Sequence, residues 1–102
     1  MIIRATLLIG DDDYSKIVRE IVEYVVNHIN SNFENYELLI VLKVENTIFN
    51  NKPILIVEDL DPIIIDKLPS VETLLNIFMV AGDAKYLDLI DRSPVSVENN
   101  IL

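Results

Sequence analysis

Pro53 to Pro62 reads PILIVEDLDP, an apolar run that ends abruptly in acids, and the amino-terminal half carries an echo of it in Thr6 to Ser15, TLLIGDDDYS. The likeness continues in order along the chain. A helical stripe recurs, Tyr36-Glu-Leu-Leu-Ile is matched by Tyr86-Leu-Asp-Leu-Ile, and Val44-Glu-Asn-Thr-Ile-Phe by Val97-Glu-Asn-Asn-Ile-Leu. Collinear blocks whose offsets change only at turns, where insertions are tolerated, read as one unit used twice. The expected fold is therefore α/β (α+β), one domain over residues 1–102 with an internal duplication of a β-α-β-β unit, about 1–50 and 51–102. Joined through Asn50-Asn51, the strands would form a mixed sheet with two helices on one face.

Working outward, Ile2 to Ile9 is rich in β-branched residues and is stopped by Gly10-Asp11-Asp12-Asp13, which reads as a strand entering a turn. From Tyr14 the period changes. Ile17, Val18, Ile21, Val22, Val25, Val26 and Ile29 form one helical stripe, with Asp12 or Asp13 as amino-terminal cap and Asn30-Ser31-Asn32 at the far end. Tyr36 to Val44 predicts a strand, which Glu45-Asn46 separates from a short run, Thr47 to Phe49, as two strands or as one strand with a bulge. Ile54 to Val57 predicts the next strand and Ile63 to Ile65 an extra apolar piece. Pro69 in a first helical turn, then Val71, Leu74, Leu75, Phe78 and Met79 with Gly82 as the cap, predict a second helix shorter than the first. Tyr86 to Ile90 and Val95 to Leu102 would close the second unit as strands.

Ile, Val and Leu supply 40 of 102 residues and Gly only 2, so a packed core is expected despite a formal charge of -9. At this length two half-chains must share that core. Seventeen acids against eight scattered bases argue against nucleic-acid binding, where Lys and Arg must neutralise phosphates. No apolar run approaches the ~20 residues that span a bilayer, and MIIRATLLIG is too short for a signal peptide, so no membrane partner and a cytoplasmic location are expected. The absence of Cys removes disulfides and thiol chemistry.

The acidic turns, Asp11-Asp12-Asp13 and Glu58-Asp59-Asp61, could offer oxygen ligands to Mg²⁺ or Ca²⁺, but helix capping asks for the same residues and is the preferred reading. No metal and no cofactor are expected. His28 lies off the apolar stripe with no partner for a catalytic triad, and it reads as a surface residue.

Three resemblances add expectations. Ile54-Leu-Ile-Val-Glu-Asp with its following acids and Pro62 resembles the first or third strand of response-regulator receiver domains, and Ala81-Gly-Asp-Ala-Lys-Tyr-Leu is similar to their late Gly-Ala-x-x-Tyr-Leu segment. This implies a metal-dependent phosphotransfer domain with Asp11 and Asp12 as metal ligands and Asp59, or less well Glu58, as phosphoacceptor; no Lys-Pro follows Tyr86-Leu87. Leu68-Pro69-Ser70-Val71 also resembles the cis-Pro loop of thioredoxin-like domains, which would turn Val71 to Ala81 into a hairpin, but no Cys exists to make such a domain active and the helix is the reading kept. In its length, its lack of Cys and its richness in Ile and Asn, the whole chain resembles the small orphan proteins of filamentous viruses that infect hyperthermophilic archaea such as Acidianus. That likeness implies a viral protein of the host-cell cytoplasm and transfers no functional residue.

The expected function is a non-enzymatic protein-protein interaction module that binds a protein or an extended peptide in a groove between the two units, with the receiver-like phosphotransfer domain as the alternative. The closing strands would supply the groove's edges, which makes Val44, Thr47, Phe49, Val97, Asn99, Ile101 and Leu102 the candidate partner-binding residues. A homodimer is also expected, because a small domain with an open strand edge gains stability by pairing it.

Overall fold

The computed structural model of the chain describes residues 1–47 and 52–91. Within them the elements follow in the order β1 (Ile2–Ile9), α1 (Asp13–Ser31), α2 (Phe33–Tyr36), β2 (Leu39–Asn46), β3 (Ile54–Val57), β4 (Ile63–Ile64) and α3 (Val71–Asp91). The fold is α+β. Its sheet is mixed, in the order β2-β1-β3-β4, with β1 parallel to β2 and antiparallel to β3, and β3 antiparallel to β4.

The alternation of β1 decides where the core lies. Ile3, Ala5, Leu7 and Ile9 are buried on one face of the sheet, and the stripe Val18, Val22, Val25, Val26 and Ile29 of α1 packs there beside Leu74, Phe78 and Ala81 of α3. Both helices touch β1 and each other, so they share that face, as the sequence predicts. Each fully buried Val or Leu contributes roughly 1.5–3 kcal/mol relative to exposure. No helix among the described residues is long and apolar enough to cross a membrane.

Of the two candidate caps for α1, Asp12 is the one used. Its carboxylate accepts the Ser15 amide at 3.1 Å and the Ser15 hydroxyl at 2.7 Å, while Ser15 Oγ accepts the Gly10 amide at 3.2 Å. Those bonds from Ser15 hold the Asp12 carboxyl below its ordinary value. At the other end Asn32 closes the helix, its amide donating to the His28 and Ile29 carbonyls and its side chain to His28 O at 2.8 Å.

Several expectations are corrected. Tyr86 to Ile90 is not a strand; it continues α3, which with 21 residues is longer than α1 with 19. Gly82 does not cap that helix, since no described glycine takes a positive φ. Its role is close approach: a Cβ there would stand 2.9 Å from Leu38 Cδ2. Pro69 lies before the helix, and Ser70 is the cap, its Oγ accepting the Thr73 amide at 3.0 Å. The segment Val71 to Ala81 is helical, as its spacing predicts, and not the hairpin of a cis-Pro loop.

Tyr36 belongs to the short α2, which Glu37 closes with φ 56, so β2 starts only at Leu39 and then runs unbroken through Glu45-Asn46. Ile63–Ile64 is the edge strand β4. The first half therefore runs strand, helix, short helix, strand, and the second strand, strand, helix among the described residues. The two halves do not share the expected β-α-β-β order, and matched blocks such as Tyr36–Ile40 and Tyr86–Ile90 take different conformations. The Asn50-Asn51 turn and the segment Val95 to Leu102 lie outside the described residues.

Candidate functional site

Side chains close three places where this small sheet would otherwise expose its backbone. The first is beside β1, whose pairing with β3 covers only Ala5 to Leu8. Asp59, at φ 67, turns the chain away just beyond Glu58. Glu58 still donates its amide to Arg4 O at 3.0 Å, and its carboxylate stands in for the missing strand by accepting the Arg4 amide at 3.3 Å. Lys85 of α3 completes the substitution, donating to Ile2 O at 2.6 Å and to Glu58 Oε2 at 2.7 Å. The bond from Lys85 holds the Glu58 carboxyl below the usual carboxylate value.

The second place is between β3 and β4. Ile65 donates its amide to Pro53 O at 2.8 Å, but Pro53 has no N–H to return to Ile65 O. The Tyr14 hydroxyl from α1 supplies that donor at 3.2 Å. Loss of solvent around the phenol, and after it the Asp66 charge, raise the Tyr14 pKa.

The third is the outer edge of β2. In a parallel ladder alternate residues bond to the neighbouring strand, and the bonds from Leu39 N to Met1 O and from Thr47 N to Ile9 O show that the odd-numbered residues of β2 face β1. The N–H and C=O of Ile40, Leu42, Val44 and Asn46 therefore point outward. Asn30 at the end of α1 covers the first of these, its amide donating to Ile40 O at 3.0 Å and accepting from Ile40 N at 2.7 Å.

Leu42, Val44 and Asn46 have no such cover among the described residues, and they form the candidate site, an open strand edge. Leu42 and Val44 turn their side chains to the core face, where they are half-buried against it. On the opposite face Lys43 and Glu45 form an ion pair at 2.8 Å, and the bond to Glu45 raises the Lys43 pKa. That face is uncovered among the described residues and is largely apolar: Val41 is 54% exposed, Ile2 47%, Ile56 37% and Ile64 61%.

Of the residues that the sequence analysis names for partner binding, Val44 lies at the centre of this edge. Thr47 follows β2 directly; its amide is held by Ile9 O at 2.8 Å, so it offers no donor to a partner, and its Oγ1 is buried without a hydrogen-bond partner among the described residues. Phe49, Val97, Asn99, Ile101 and Leu102 lie outside the described residues. Leu42, Asn46, Lys43, Glu45 and Asn30 were missed. The register of a parallel neighbour decides which residues of β2 face outward, and no local pattern carries that information.

The acidic turns leave opposite ends of the sheet, because β3 runs antiparallel to β1: Leu8 pairs with Ile54 and Ala5 with Val57. Asp11 and Asp12 are thus separated from Asp59 by about the length of β1, roughly 25 Å at ~3.3 Å per residue. The ligand and acceptor set that a receiver resemblance implies is not brought together. No group of three His, Cys, Asp or Glu residues that could hold a metal occurs among the described residues. His28, expected at the surface, sits against two aromatic rings. It is half-buried, stacks with Tyr24 at 6.4 Å, meets the Tyr36 ring edge at 5.8 Å and shares a 3.1 Å hydrogen bond with the Tyr36 hydroxyl. No protein-family model, curated protein or solved structure matches the chain.

Proposed function

We propose that this protein is a non-enzymatic interaction module that takes an extended segment of a partner protein as an added strand along β2. The observation that carries this reading is the run of outward N–H and C=O groups at Leu42, Val44 and Asn46, left open among the described residues while Asn30 closes the same edge one residue pair earlier. An added strand satisfies those groups through its main chain, and side-chain contacts give it specificity. Here the contacts are apolar on the core face, from Leu42 and Val44, and charged on the other, from Lys43 and Glu45.

The test is amide hydrogen exchange with a panel of extended octapeptides of varied charge and apolar pattern. A bound peptide should slow exchange at Leu42, Val44 and Asn46 and leave Val41 and Lys43, already bonded to β1, unchanged. With the chain dilute enough to be monomeric, a panel in which no peptide slows the three amides overturns the reading.

A further inference from the structure

Resting on the reading of β2 as a strand-accepting edge, we propose that the strand it accepts is β2 of a second copy, paired antiparallel about a two-fold axis at Val44. A closed dimer formed through one edge must be two-fold, and two copies of the same edge related in that way run antiparallel. Only pairings that place outward-facing residues opposite one another form hydrogen bonds, so an even-numbered residue must oppose an even-numbered one. That leaves few registers.

Charge and the Asn30 block choose among them. Centring the pair on Lys43 sets two lysines face to face, and centring it on Glu45 sets two glutamates face to face; like charges directly opposite are destabilising. Centring it on Leu42 requires the Ile40 amide and carbonyl, which Asn30 already occupies at 2.7 and 3.0 Å. Centring it on Val44 uses all three open residues. Val44 faces Val44, Leu42 faces Asn46 twice, and Lys43 faces Glu45 twice in the close, non-hydrogen-bonded positions where side chains interact most.

Each Lys43 then has two carboxylates beside it, its own Glu45 at 2.8 Å in the single chain and that of the second copy across the junction. Asn30 sets the end of the ladder on both sides. Among the described residues the result is an eight-stranded sheet with α1 and α3 of both copies on one side. Opposing it is mutual repulsion, since each copy carries a formal charge of -9, so the dimer should be sought near 0.15 M salt, where the screening length is about 8 Å.

The experiment is sedimentation of the full chain and its variants over a wide concentration range. The unaltered chain should dimerise reversibly. Lys43→Glu or Glu45→Lys alone should each weaken the dimer by about tenfold or more, because both cross-strand attractions become repulsions, whereas an equimolar mixture of the two variants should form a heterodimer. The chain has no Cys, so a single Val44→Cys variant should oxidise to a disulfide-linked dimer, while Asn46→Cys, whose two copies would stand two residues either side of the axis, should not.

A chain that stays monomeric at every concentration, yet whose Leu42, Val44 and Asn46 amides an octapeptide protects, overturns the second-copy inference and leaves the strand-accepting edge standing. A dimer indifferent to both charge changes and not trapped by Val44→Cys overturns it too. A monomer whose three amides no peptide protects overturns both.

Discussion

The Asn30 side chain pairs with the backbone of Ile40 as a neighbouring strand would, giving one hydrogen bond to its carbonyl and taking one from its amide. A single asparagine thereby ends the open edge of β2 and ties α1 to the sheet. Ile40 is 4% exposed, so loss of the amide leaves poorly hydrated backbone groups. Asn30→Ala should destabilise the fold by about 1–3 kcal/mol, measured by urea unfolding, and should also speed exchange at the Ile40 amide. Unchanged exchange at Ile40 would show that the pairing contributes nothing.

Glu58 and Lys85 give the molecule an acid-sensitive joint. The Glu58 carboxyl lies below its ordinary value of 4.5, chiefly through the Lys85 bond, so the native state binds its proton less readily than the unfolded chain. Its contribution is therefore complete above about pH 4.5 and is lost as pH falls through the lower native value. Glu58→Gln should lower stability at neutral pH and flatten the acid limb of the stability curve. Melting temperatures from pH 7 to pH 2 that run parallel for the two proteins would contradict this.

Tyr14 is needed because of Pro53. Tyr14→Phe leaves the Ile65 carbonyl without its donor and should cost about 1 kcal/mol. In a Pro53→Ala background an N–H returns at the position opposite Ile65, and the same change should then cost much less. A double-mutant cycle with no coupling would mean that the hydroxyl acts by some other route.

Gly82 and Leu38 should be coupled in the opposite sense. Alanine is favoured over glycine inside a helix by up to ~1 kcal/mol, but a Cβ at residue 82 meets Leu38 Cδ2 at 2.9 Å, where Leu38 is 5% exposed. Gly82→Ala alone should be neutral or destabilising. Combined with Leu38→Ala, which removes the obstructing atoms, it should become stabilising relative to Leu38→Ala alone, as thermal unfolding would show.

The sequence by itself determined the elements whose signal is periodic and local. The α1 stripe, the β1 alternation, a cap at Asp12 or Asp13 and Ile54–Val57 as a strand all follow from spacing along one segment, because a helix or strand must present one face to the core whatever its neighbours are. Placing both helices on one face follows from the same constraint. The tertiary structure alone decided Tyr86–Ile90, whose apolar residues suit a strand as well as a helix until α3 packs against Leu38 through Gly82. It also decided the candidate site. Whether a residue of β2 offers its backbone to a partner depends on the register with β1, and whether the offer stays open depends on a side chain ten residues earlier, Asn30, or on none. Edges are made by what is absent beside a strand, and a strand's own sequence does not record which neighbours it lacks.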